Sequence, residues 1–197
     1  MNLTLQYYAD NAQEFFDNTY DKEMYLAYRK FLPLIAENSH ILDAGCGSGR
    51  DSRYFLSKGY SVTAFDASEK MAELASIYIG QDVQYLTFDQ VEAHETYDAI
   101  WAAASLLHLP SSELAKTFSH LSKALKKDGL FYASFKYGVD EYNKDGRHFT
   151  SLNEERTEAL FDEISSLQLQ MLWLSDDLRQ ERKGEKWLNL LARKGSE

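Results

Sequence analysis

Three glycines at alternate positions stand between a short apolar run and a helical pattern. The run is HILDA at 40–44, and the glycines are Gly45, Gly47 and Gly49. Glycine is required where a chain turns tightly and where a ligand touches the backbone. In an α/β sheet, the carboxyl end of a strand is also where ligands bind. The spacing therefore predicts a cofactor site in this loop.

An acidic residue ends the next strand-like run. Asp66 closes SVTAFD at 61–66, and a carboxylate there can accept hydrogen bonds from both hydroxyls of a ribose. The loop departs from the G-x-G-x-x-G pattern of dinucleotide enzymes, because neither residue 50 nor residue 51 is glycine. Asp43 and Asp51 are poorly suited to a pyrophosphate. They suit a cationic ligand, such as a sulfonium nucleoside with an ammonium group.

His108 is the histidine best placed for acid–base chemistry. It lies just before Pro110, in the loop that follows the strand-like run YDAIWA at 97–102. The ordinary pKa of histidine suits proton transfer near neutral pH, so His108 is a candidate general base. A histidine that only stabilises a loop or caps a helix is the alternative, and both remain open. No spacing of histidine and cysteine predicts a metal site.

Short apolar runs alternate with helical patterns as far as residue 135. The runs that predict strands lie at 40–44, 61–66, 83–87, 97–102 and 129–135. This alternation predicts an α/β fold with a doubly wound, Rossmann-like and mostly parallel sheet. Two last strands, at 167–175 and 186–193, are joined by a loop and should form an antiparallel pair. The expected sheet has seven strands.

Composition limits the expected partners. The 197 residues fit one domain, and a net charge of −10 disfavours sequence-independent binding to nucleic acid. No apolar run approaches the roughly 18–20 residues of a membrane span, and the first residues do not resemble a signal peptide. The single cysteine, Cys46, fits a reducing compartment. We therefore expect a cytoplasmic monomer or homodimer with no nucleic-acid or membrane partner.

The segment from 41 to 68, which contains ILDAGCGSG and VTAFDAS, resembles the first two motifs of class I S-adenosylmethionine-dependent methyltransferases. The likeness extends over roughly 40–135, where YLTFD, YDAIWAAASLLHLP and LKKDGLFYASF are similar to the third, fourth and fifth strands of that family. Within it, the chain most resembles the small tellurite- and thiopurine-type methyltransferases. The resemblance implies a Rossmann-like fold, S-adenosylmethionine as cofactor and S-adenosylhomocysteine as product.

The same resemblance implies which residues bind the cofactor. Those expected around its amino-acid part lie in the glycine loop: Asp43, Gly45, Cys46 and Gly47. Those expected around the nucleoside follow the next two strands: Asp66, Ala67, Met71, Asp89 and Gln90. Those expected beside the sulfonium or at the mouth of the site follow the fourth strand: Ala102, Ala103, Leu107 and His108. Asp66 would bind the ribose, and Asp89 would meet the adenine amino group.

Methyl transfer from a sulfonium is an in-line displacement, so the enzyme mainly aligns the reactants and excludes water. The family's [DNS]-P-P-[YF] signature for methylation of amino groups in nucleic acids and proteins is absent, because residues 102–105 read AAAS. Cys46 lies in the glycine loop, too far from the fourth strand to be the nucleophile of a cytosine C5 enzyme. These two observations favour a small-molecule acceptor.

Candidate acceptor residues lie in three segments. The aromatic N-terminus supplies Tyr8, which could contact the sulfonium through a cation–π interaction and act in catalysis. The polar segment 135–151 is expected to be a long loop, and a basic cluster lies at 176–187. The substrate candidates are Tyr20, Lys136, Arg147, His148, Arg179 and Arg182. Basic residues would bind an anionic acceptor, whereas aromatic residues alone would bind a neutral heterocycle or thiol, and the sequence leaves both open.

We therefore expect one methyltransferase domain in three parts. Residues 1–38 would form a helical lid, residues 39–136 the cofactor-binding core, and residues 137–197 the acceptor-side loop, a helix and the final strand pair. The favoured function is transfer of a methyl group to a small molecule. Methylation of tRNA or protein is the first alternative. A non-catalytic module that binds the cofactor is the second.

Overall fold

The structure is a computed structural model that describes residues 3–177 and 184–195. Its helices are α1 (Leu3–Asp10), α2 (Ala12–Thr19), α3 (Tyr25–Phe31), α4 (Arg50–Ser57), α5 (Glu69–Ile79), α6 (Ser111–Ser122) and α7 (Glu154–Asp162). Its strands are β1 (His40–Ala44), β2 (Ser61–Asp66), β3 (Gln84–Tyr85), β4 (Tyr97–Ala102), β5 (Leu125–Tyr137), β6 (Glu141–Lys144), β7 (Arg147–Leu152), β8 (Leu167–Asp176) and β9 (Lys186–Lys194). Short 3₁₀ turns cover Leu32–Leu34, Phe88–Gln90 and Leu106–His108.

The central strands are parallel, in the order β3-β2-β1-β4-β5. The strand β9 pairs antiparallel with β5 on one side and with β8 on the other. The predicted Rossmann-like sheet with an antiparallel C-terminal pair is confirmed. Because β1 lies between β2 and β4, the direction of winding reverses there, and ligand crevices form at such a point.

The expected loop at 135–151 is wrong, because this segment forms the hairpin of β6 and β7. The register pairs Glu141 with Thr150 and Lys144 with Arg147. Asp145 and Gly146 have φ angles of 52° and 77°, as a tight two-residue hairpin turn requires. The strand β7 also pairs in parallel with the end of β5, so the sheet has nine strands among the described residues rather than seven.

The two faces of the sheet carry separate apolar cores, and β4 shows how one strand serves both. Ile100 and Ala102 pack towards α6 and α7, whereas Trp101 packs on the opposite face with α3 and α4. All three side chains are fully buried. Adjacent residues of a strand point to opposite faces, so an unbroken apolar run is the pattern expected of a strand covered by helices on both sides.

The N-terminal region, expected to be helical, is divided into short helices. The helix α3 ends at Phe31, and a 3₁₀ turn containing Pro33 follows it. Proline has no N–H to donate, so it interrupts the regular helical pattern. Within residues 3–177 and 184–195, no helix is long enough and apolar enough to cross a membrane.

Candidate cofactor and acceptor site

One cavity of about 970 Å³ opens at the carboxyl ends of the parallel strands. Ligand sites commonly have volumes of about 300–1,000 Å³, so this one is at the large end of the range. Its walls include the glycine loop after β1, the end of β2, the loop after β4, the helices α1 and α2, and the start of β7. The segments predicted to bind the cofactor and the acceptor therefore meet in one space.

The glycine loop is held against the sheet by backbone hydrogen bonds. The N–H groups of Gly45 and Cys46 both donate to the carbonyl of Phe65, each at 3.0 Å. Gly45 has a φ of +77°, and a Cβ at this position would lie 2.6 Å from the Cβ of Ser105. Only glycine therefore fits here, and the loop backbone lies bare along the cavity.

Asp66 ends β2 with both carboxylate oxygens fixed by the backbone. The N–H of Gly47 donates to Oδ2 and the N–H of Ser68 donates to Oδ1, each at 2.9 Å. Burial raises the pKa of Asp66, and these two hydrogen bonds oppose the rise. Each oxygen keeps a further lone pair, and the residue lines the cavity. The two acceptor positions that remain on the Asp66 carboxylate fit two ribose hydroxyls.

Asp43 and Asp51 form a buried acidic pair with different partners. Ser52 donates to Asp43 at 2.6 Å, and burial together with the neighbouring Asp51 raises the pKa of Asp43. Asp51 accepts hydrogen bonds from Arg50 at 2.7 Å, from Trp101 at 2.8 Å and from the hydroxyl of Tyr28. Burial opposes them, but these contacts hold the pKa of Asp51 below its usual value.

These contacts correct one expectation. Asp51 was expected to suit a cationic ligand, but its oxygens are already used by groups of the protein. Asp43 is 2% exposed and lies behind the cavity wall rather than among its lining residues. Its contribution to the site is indirect, because it anchors Ser52 beneath the glycine loop.

The residues predicted for the nucleoside divide into two groups. Ala67, Met71 and Asp89 line the cavity together with Asp66. Gln90 is not among the lining residues, because its side chain turns back to accept a hydrogen bond from the N–H of Thr87 at 2.9 Å. The hydroxyl of Thr87 also donates to Asp89 at 2.6 Å, which lowers the pKa of Asp89 and orients its carboxylate.

The loop after β4 contributes Ala103 and Leu107 to the lining. Ala102 does not line the cavity, because its side chain is fully buried in the core on the α6 side of the sheet. Cys46 does line it, and burial raises the pKa of its thiol, so it remains protonated. This environment suits a small residue packed in the loop rather than a reactive thiol.

Tyr8 and His108 contact each other across the cavity mouth. The distance from the Tyr8 hydroxyl to Nε2 of His108 is 2.9 Å, and the distance from Nδ1 of His108 to the carbonyl of His148 is 2.7 Å. A carbonyl can only accept, so Nδ1 carries the proton and Nε2 accepts from Tyr8. Both side chains line the cavity.

The expectation that His108 titrates near neutral pH is wrong. Burial lowers the pKa of His108 to about 4, and the charge of Arg147 acts in the same direction. Burial likewise raises the pKa of Tyr8 to about 12, although Arg147 opposes that rise. At neutral pH the pair is therefore an uncharged tyrosine donating to an uncharged histidine.

Arg147 and His148 begin β7 and face different surroundings. Arg147 lines the cavity and is 7% exposed, with its guanidinium carbon 4.1 Å from the centroid of the Tyr7 ring. The side chain of His148 is not among the lining residues, because Nε2 lies 3.4 Å from Glu141 of the paired strand β6. Its backbone carbonyl, not its side chain, supports the site by holding His108.

Lys136 lines the cavity, but it is not a free cation. Its ammonium group is paired with Asp177 at 3.0 Å and with Glu185, and it lies 4.3 Å from the centroid of the Trp187 ring. The residue is 7% exposed. Two carboxylates compensate its charge, so the structure does not support the expectation that Lys136 attracts an anionic acceptor.

Tyr20 lies away from the large cavity. Its ring stacks on Phe16 at 5.3 Å and borders a smaller cavity of about 260 Å³ beside Tyr78. This stacking at the end of α2 explains its position. Arg179 and Arg182 lie outside the described residues.

The lining also includes residues that the sequence patterns did not predict, among them Asn189 and Ser105. Asn189 lies in the apolar strand β9, 1% exposed, and accepts a hydrogen bond from the hydroxyl of Tyr132 at 2.7 Å. A polar residue inside KWLNLLAR was the available signal. Ser105 lines the cavity beside Gly45 and donates to the carbonyl of Ala44 at 2.7 Å. Nothing in its local sequence marks that contact. Among the described residues, no group of three His, Cys, Asp or Glu side chains is placed to hold a metal ion.

Comparisons with known proteins agree with this site. Residues 41–129 match the family described as a methyltransferase domain. A protein of Geobacillus sp. (strain WCH70), named only as a methyltransferase, is 34% identical over 124 residues, which are 58% of this chain and 50% of the relative. The ubiquinone biosynthesis O-methyltransferase of Rickettsia akari is 30% identical over 95 residues, which are 46% of this chain and 37% of that protein. The chain thus spans half or less of these two relatives.

A solved structure shares almost the whole fold. The 1,6-didemethyltoxoflavin-N1-methyltransferase of Burkholderia thailandensis, solved with 1,6-didemethyltoxoflavin and S-adenosylhomocysteine bound, has a TM-score of 0.80 at 20% identity. The match covers 98% of this chain and 87% of that one. At this level of identity the likeness concerns the fold alone.

Residues 41–129 therefore match a methyltransferase domain, and they carry the glycine loop and Asp66 on a Rossmann-like fold. The methyltransferase resemblance predicted from residues 41–68 is confirmed for this segment. The neighbour solved with S-adenosylhomocysteine agrees with the predicted cofactor. The further resemblance to tellurite- and thiopurine-type enzymes stays a prediction.

Proposed function

We propose that this protein transfers the methyl group of S-adenosylmethionine to a small-molecule acceptor bound in the large cavity. The observation that carries the proposal is the shared space: Asp66 on one wall and the Tyr8–His108 pair on another line the same cavity of about 970 Å³. A volume at the upper end of the usual range accommodates a cofactor and a small second ligand together.

The N-terminal helices support a role as a lid. Tyr8 of α1 and Phe15 of α2 both line the cavity, and their rings meet edge to face at 5.0 Å. A Cβ added at Gly47 would lie 3.4 Å from the Phe15 ring, so α2 lies directly over the glycine loop. These aromatic side chains would exclude water from the reacting groups. We propose that residues 1–38 close the site in this way.

When bound, S-adenosylmethionine supplies an electrophilic methyl group on a positively charged sulfur. Asp66 would hold the ribose through two hydrogen bonds, and the bare backbone of Gly45 and Gly47 would allow close approach of the amino-acid part. The face of the Tyr8 ring would stabilise the nearby positive charge. The remaining requirement is that the nucleophile of the acceptor be aligned with the methyl group.

Tyr8 is placed to align that nucleophile. Its hydroxyl donates to His108, and Arg147 makes a side-chain hydrogen bond to it, which leaves its oxygen one further lone pair to accept from an N–H, O–H or S–H of the acceptor. His108 has a pKa of about 4 and is therefore a weak base that does not hold a proton at neutral pH. We therefore assign His108 the role of orienting Tyr8, not that of a strong general base.

Two further features support a small acceptor. The proteins similar to this chain include a ubiquinone biosynthesis O-methyltransferase and a methyltransferase solved with a small heterocycle. The net charge of −10 disfavours binding along a nucleic-acid backbone.

The single cysteine supports the proposal that the protein works in the reducing cytoplasm.

The test is methyl transfer from labelled S-adenosylmethionine to a panel of small acceptors, followed by mass spectrometry. The panel contains phenols, thiols, nitrogen heterocycles, small carboxylates, tellurite and selenite. We expect one class to gain a methyl group, with one equivalent of S-adenosylhomocysteine formed for each product molecule. Bulk tRNA and a mixture of unfolded proteins form the comparison arms. Label entering either polymer and no small molecule would contradict the proposal.

A further inference from the structure

Three basic residues of the cavity wall differ in their partners. Arg50 has Asp51 at 2.7 Å, and Lys136 has Asp177 at 3.0 Å together with Glu185. For Arg147, the carboxylate within 4 Å among the described residues is that of Asp145, at 3.8 Å. That distance exceeds hydrogen-bond length, and the side chain of Asp145 is 63% exposed. Arg147 is therefore poorly compensated.

The surroundings of Arg147 are aromatic rather than acidic. Its guanidinium carbon lies 4.1 Å from the centroid of the Tyr7 ring and 5.3 Å from that of Phe149. The Nε atom is buried and has no hydrogen-bond partner among the described residues. Aromatic faces stabilise a cation only weakly, whereas burial of an unpaired charge is strongly unfavourable. The protein alone leaves this charge only partly stabilised.

Arg147 also lies beside the proposed reacting groups. Its charge lowers the pKa of His108, and its charge together with a side-chain hydrogen bond to Tyr8 opposes the rise in the pKa of Tyr8. All three side chains line the same cavity. An anion at Arg147 would therefore lie next to the atom that Tyr8 aligns.

We propose that Arg147 binds a carboxylate or another small oxyanion of the methyl acceptor, and that the acceptor is therefore a small anion. This inference rests on the proposed function and adds the chemical class of its substrate. A guanidinium presents a planar fork of N–H groups that matches a carboxylate with two parallel hydrogen bonds. The unpartnered Nε would supply one of them.

The rings around Arg147 also favour a planar body for this anion. Tyr8, Phe15 and Phe149 line the cavity and are half-buried or buried, and flat apolar groups pack well against such rings. A neutral acceptor would leave the charge of Arg147 without a partner, so binding should discriminate strongly against it.

The test is calorimetry on the protein saturated with S-adenosylhomocysteine, with benzoate and selenite as anionic probes and benzamide as the neutral match of benzoate. We expect at least one anion to bind tenfold or more tightly than benzamide. In Arg147→Gln this preference should disappear, and in Arg147→Lys it should be partly retained. Lys144→Gln is the matched control, because it removes an exposed positive charge from the paired strand β6. It should leave the preference unchanged.

Two results would overturn the proposal. Equal affinity for benzoate, selenite and benzamide, or none measurable for all three, would mean that Arg147 does not select an anion. A fall of more than fivefold in the affinity of Arg147→Gln for S-adenosylhomocysteine, with an unchanged melting temperature, would assign the cation to the carboxylate of the cofactor instead.

A third arm separates this inference from the proposed function. Titration of the probes into the cofactor-free protein shows whether the anion site exists even if S-adenosylhomocysteine fails to bind. Failure of the cofactor to bind contradicts the methyltransferase proposal. Failure of the anions alone contradicts only the assignment of Arg147.

Discussion

The two walls of the cavity are built in different ways. The proposed cofactor wall uses residues between 45 and 89, which follow one another after β1, β2 and β3, and its main contacts are made by backbone N–H groups, as at Asp66. The acceptor wall joins Tyr8 to His108, which are 100 positions apart, through side chains. Local backbone geometry therefore defines the first wall, and long-range packing defines the second.

The charges of the two walls differ as well. On the cofactor wall, the buried carboxylate of Asp51 is fully used by Arg50, Trp101 and Tyr28. On the acceptor wall, Arg147 lacks a carboxylate within hydrogen-bond distance among the described residues. A neutral ligand would leave the charge of Arg147 without a partner, so the acceptor wall would discriminate among ligands. We infer that the cofactor wall binds S-adenosylmethionine and that the acceptor wall selects the individual acceptor.

Removing the carboxylate of Asp66 should have the largest effect on the cofactor wall. Each hydrogen bond to a charged group contributes about 1.5–3 kcal/mol, so Asp66→Ala should weaken binding of S-adenosylhomocysteine by about a hundredfold or more. Calorimetry measures the change. Glu69→Ala, which removes an exposed acid from the same region, should bind normally. Unchanged affinity in Asp66→Ala would place the ribose elsewhere.

Removing the hydroxyl of Tyr8 should impair methyl transfer without impairing binding of the cofactor. Tyr8→Phe loses the hydrogen bond to His108 and the oxygen that we propose aligns the acceptor. We expect kcat for methyl transfer to fall by about tenfold to a hundredfold, at the low end of acid–base and positioning effects, while affinity for S-adenosylhomocysteine stays within twofold.

The neighbouring tyrosine provides the control. Tyr7→Phe keeps the ring that packs on Arg147 and should retain kcat. If both variants lose activity equally, the effect belongs to the packing of α1 and not to the Tyr8 hydroxyl.

Lowering the pH should destabilise the folded protein through His108, a residue of the acceptor wall. The folded-state pKa of His108 is about 4, against an ordinary value of 6.5. Because the unfolded chain binds the proton more readily, His108 contributes stability above pH 6.5 that is lost as the pH falls towards 4. A shift of this size corresponds to about 3 kcal/mol, and partial exposure reduces it to about 2 kcal/mol.

Urea unfolding from pH 7.5 to pH 4.5 measures this contribution as the difference between the wild type and His108→Gln. The difference in the free energy of unfolding should decrease with falling pH. His94→Gln, at an exposed loop position, should show a constant difference. A constant difference for His108→Gln as well would contradict the buried neutral histidine.

The smallest effect is expected at the edge of the cofactor wall. Thr87→Ala removes the hydroxyl that donates to Asp89 at 2.6 Å. Asp89 is exposed, so loss of one orienting hydrogen bond should weaken S-adenosylhomocysteine by about 1 kcal/mol or less, a few-fold change in calorimetry. Thr96→Ala, an exposed threonine away from the cavity, is the control. A loss as large as that of Asp66→Ala would mean that Asp89, not Asp66, dominates nucleoside binding.

The same contrast explains what could be predicted. The parallel strands follow from the alternation of runs and helices, and the final pair of β8 and β9 follows from two runs joined by a loop, since those patterns are local. The hairpin of β6 and β7 was missed because 141–152 is polar and resembles a loop by composition. The signal was present in Asp145-Gly146, a dipeptide typical of tight hairpin turns.

Prediction of the site residues shows the same limit. Gly45, Gly47 and Asp66 were identified because their spacing and their place after strands carry the information. The positions of Lys136 and Arg147 could not be ranked, because both are basic residues in polar segments. Only the fold shows that Asp177 and Glu185 neutralise the first, while aromatic rings surround the second.

The most direct test of the central claim is calorimetry of the wild-type protein with S-adenosylmethionine, S-adenosylhomocysteine and NAD. The glycine loop and Asp66 predict that both sulfur nucleosides bind with one site per chain. NAD should not bind, because the loop lacks the glycine spacing for a pyrophosphate. Binding of NAD, or no binding of either sulfur nucleoside, would contradict the assignment of the cavity.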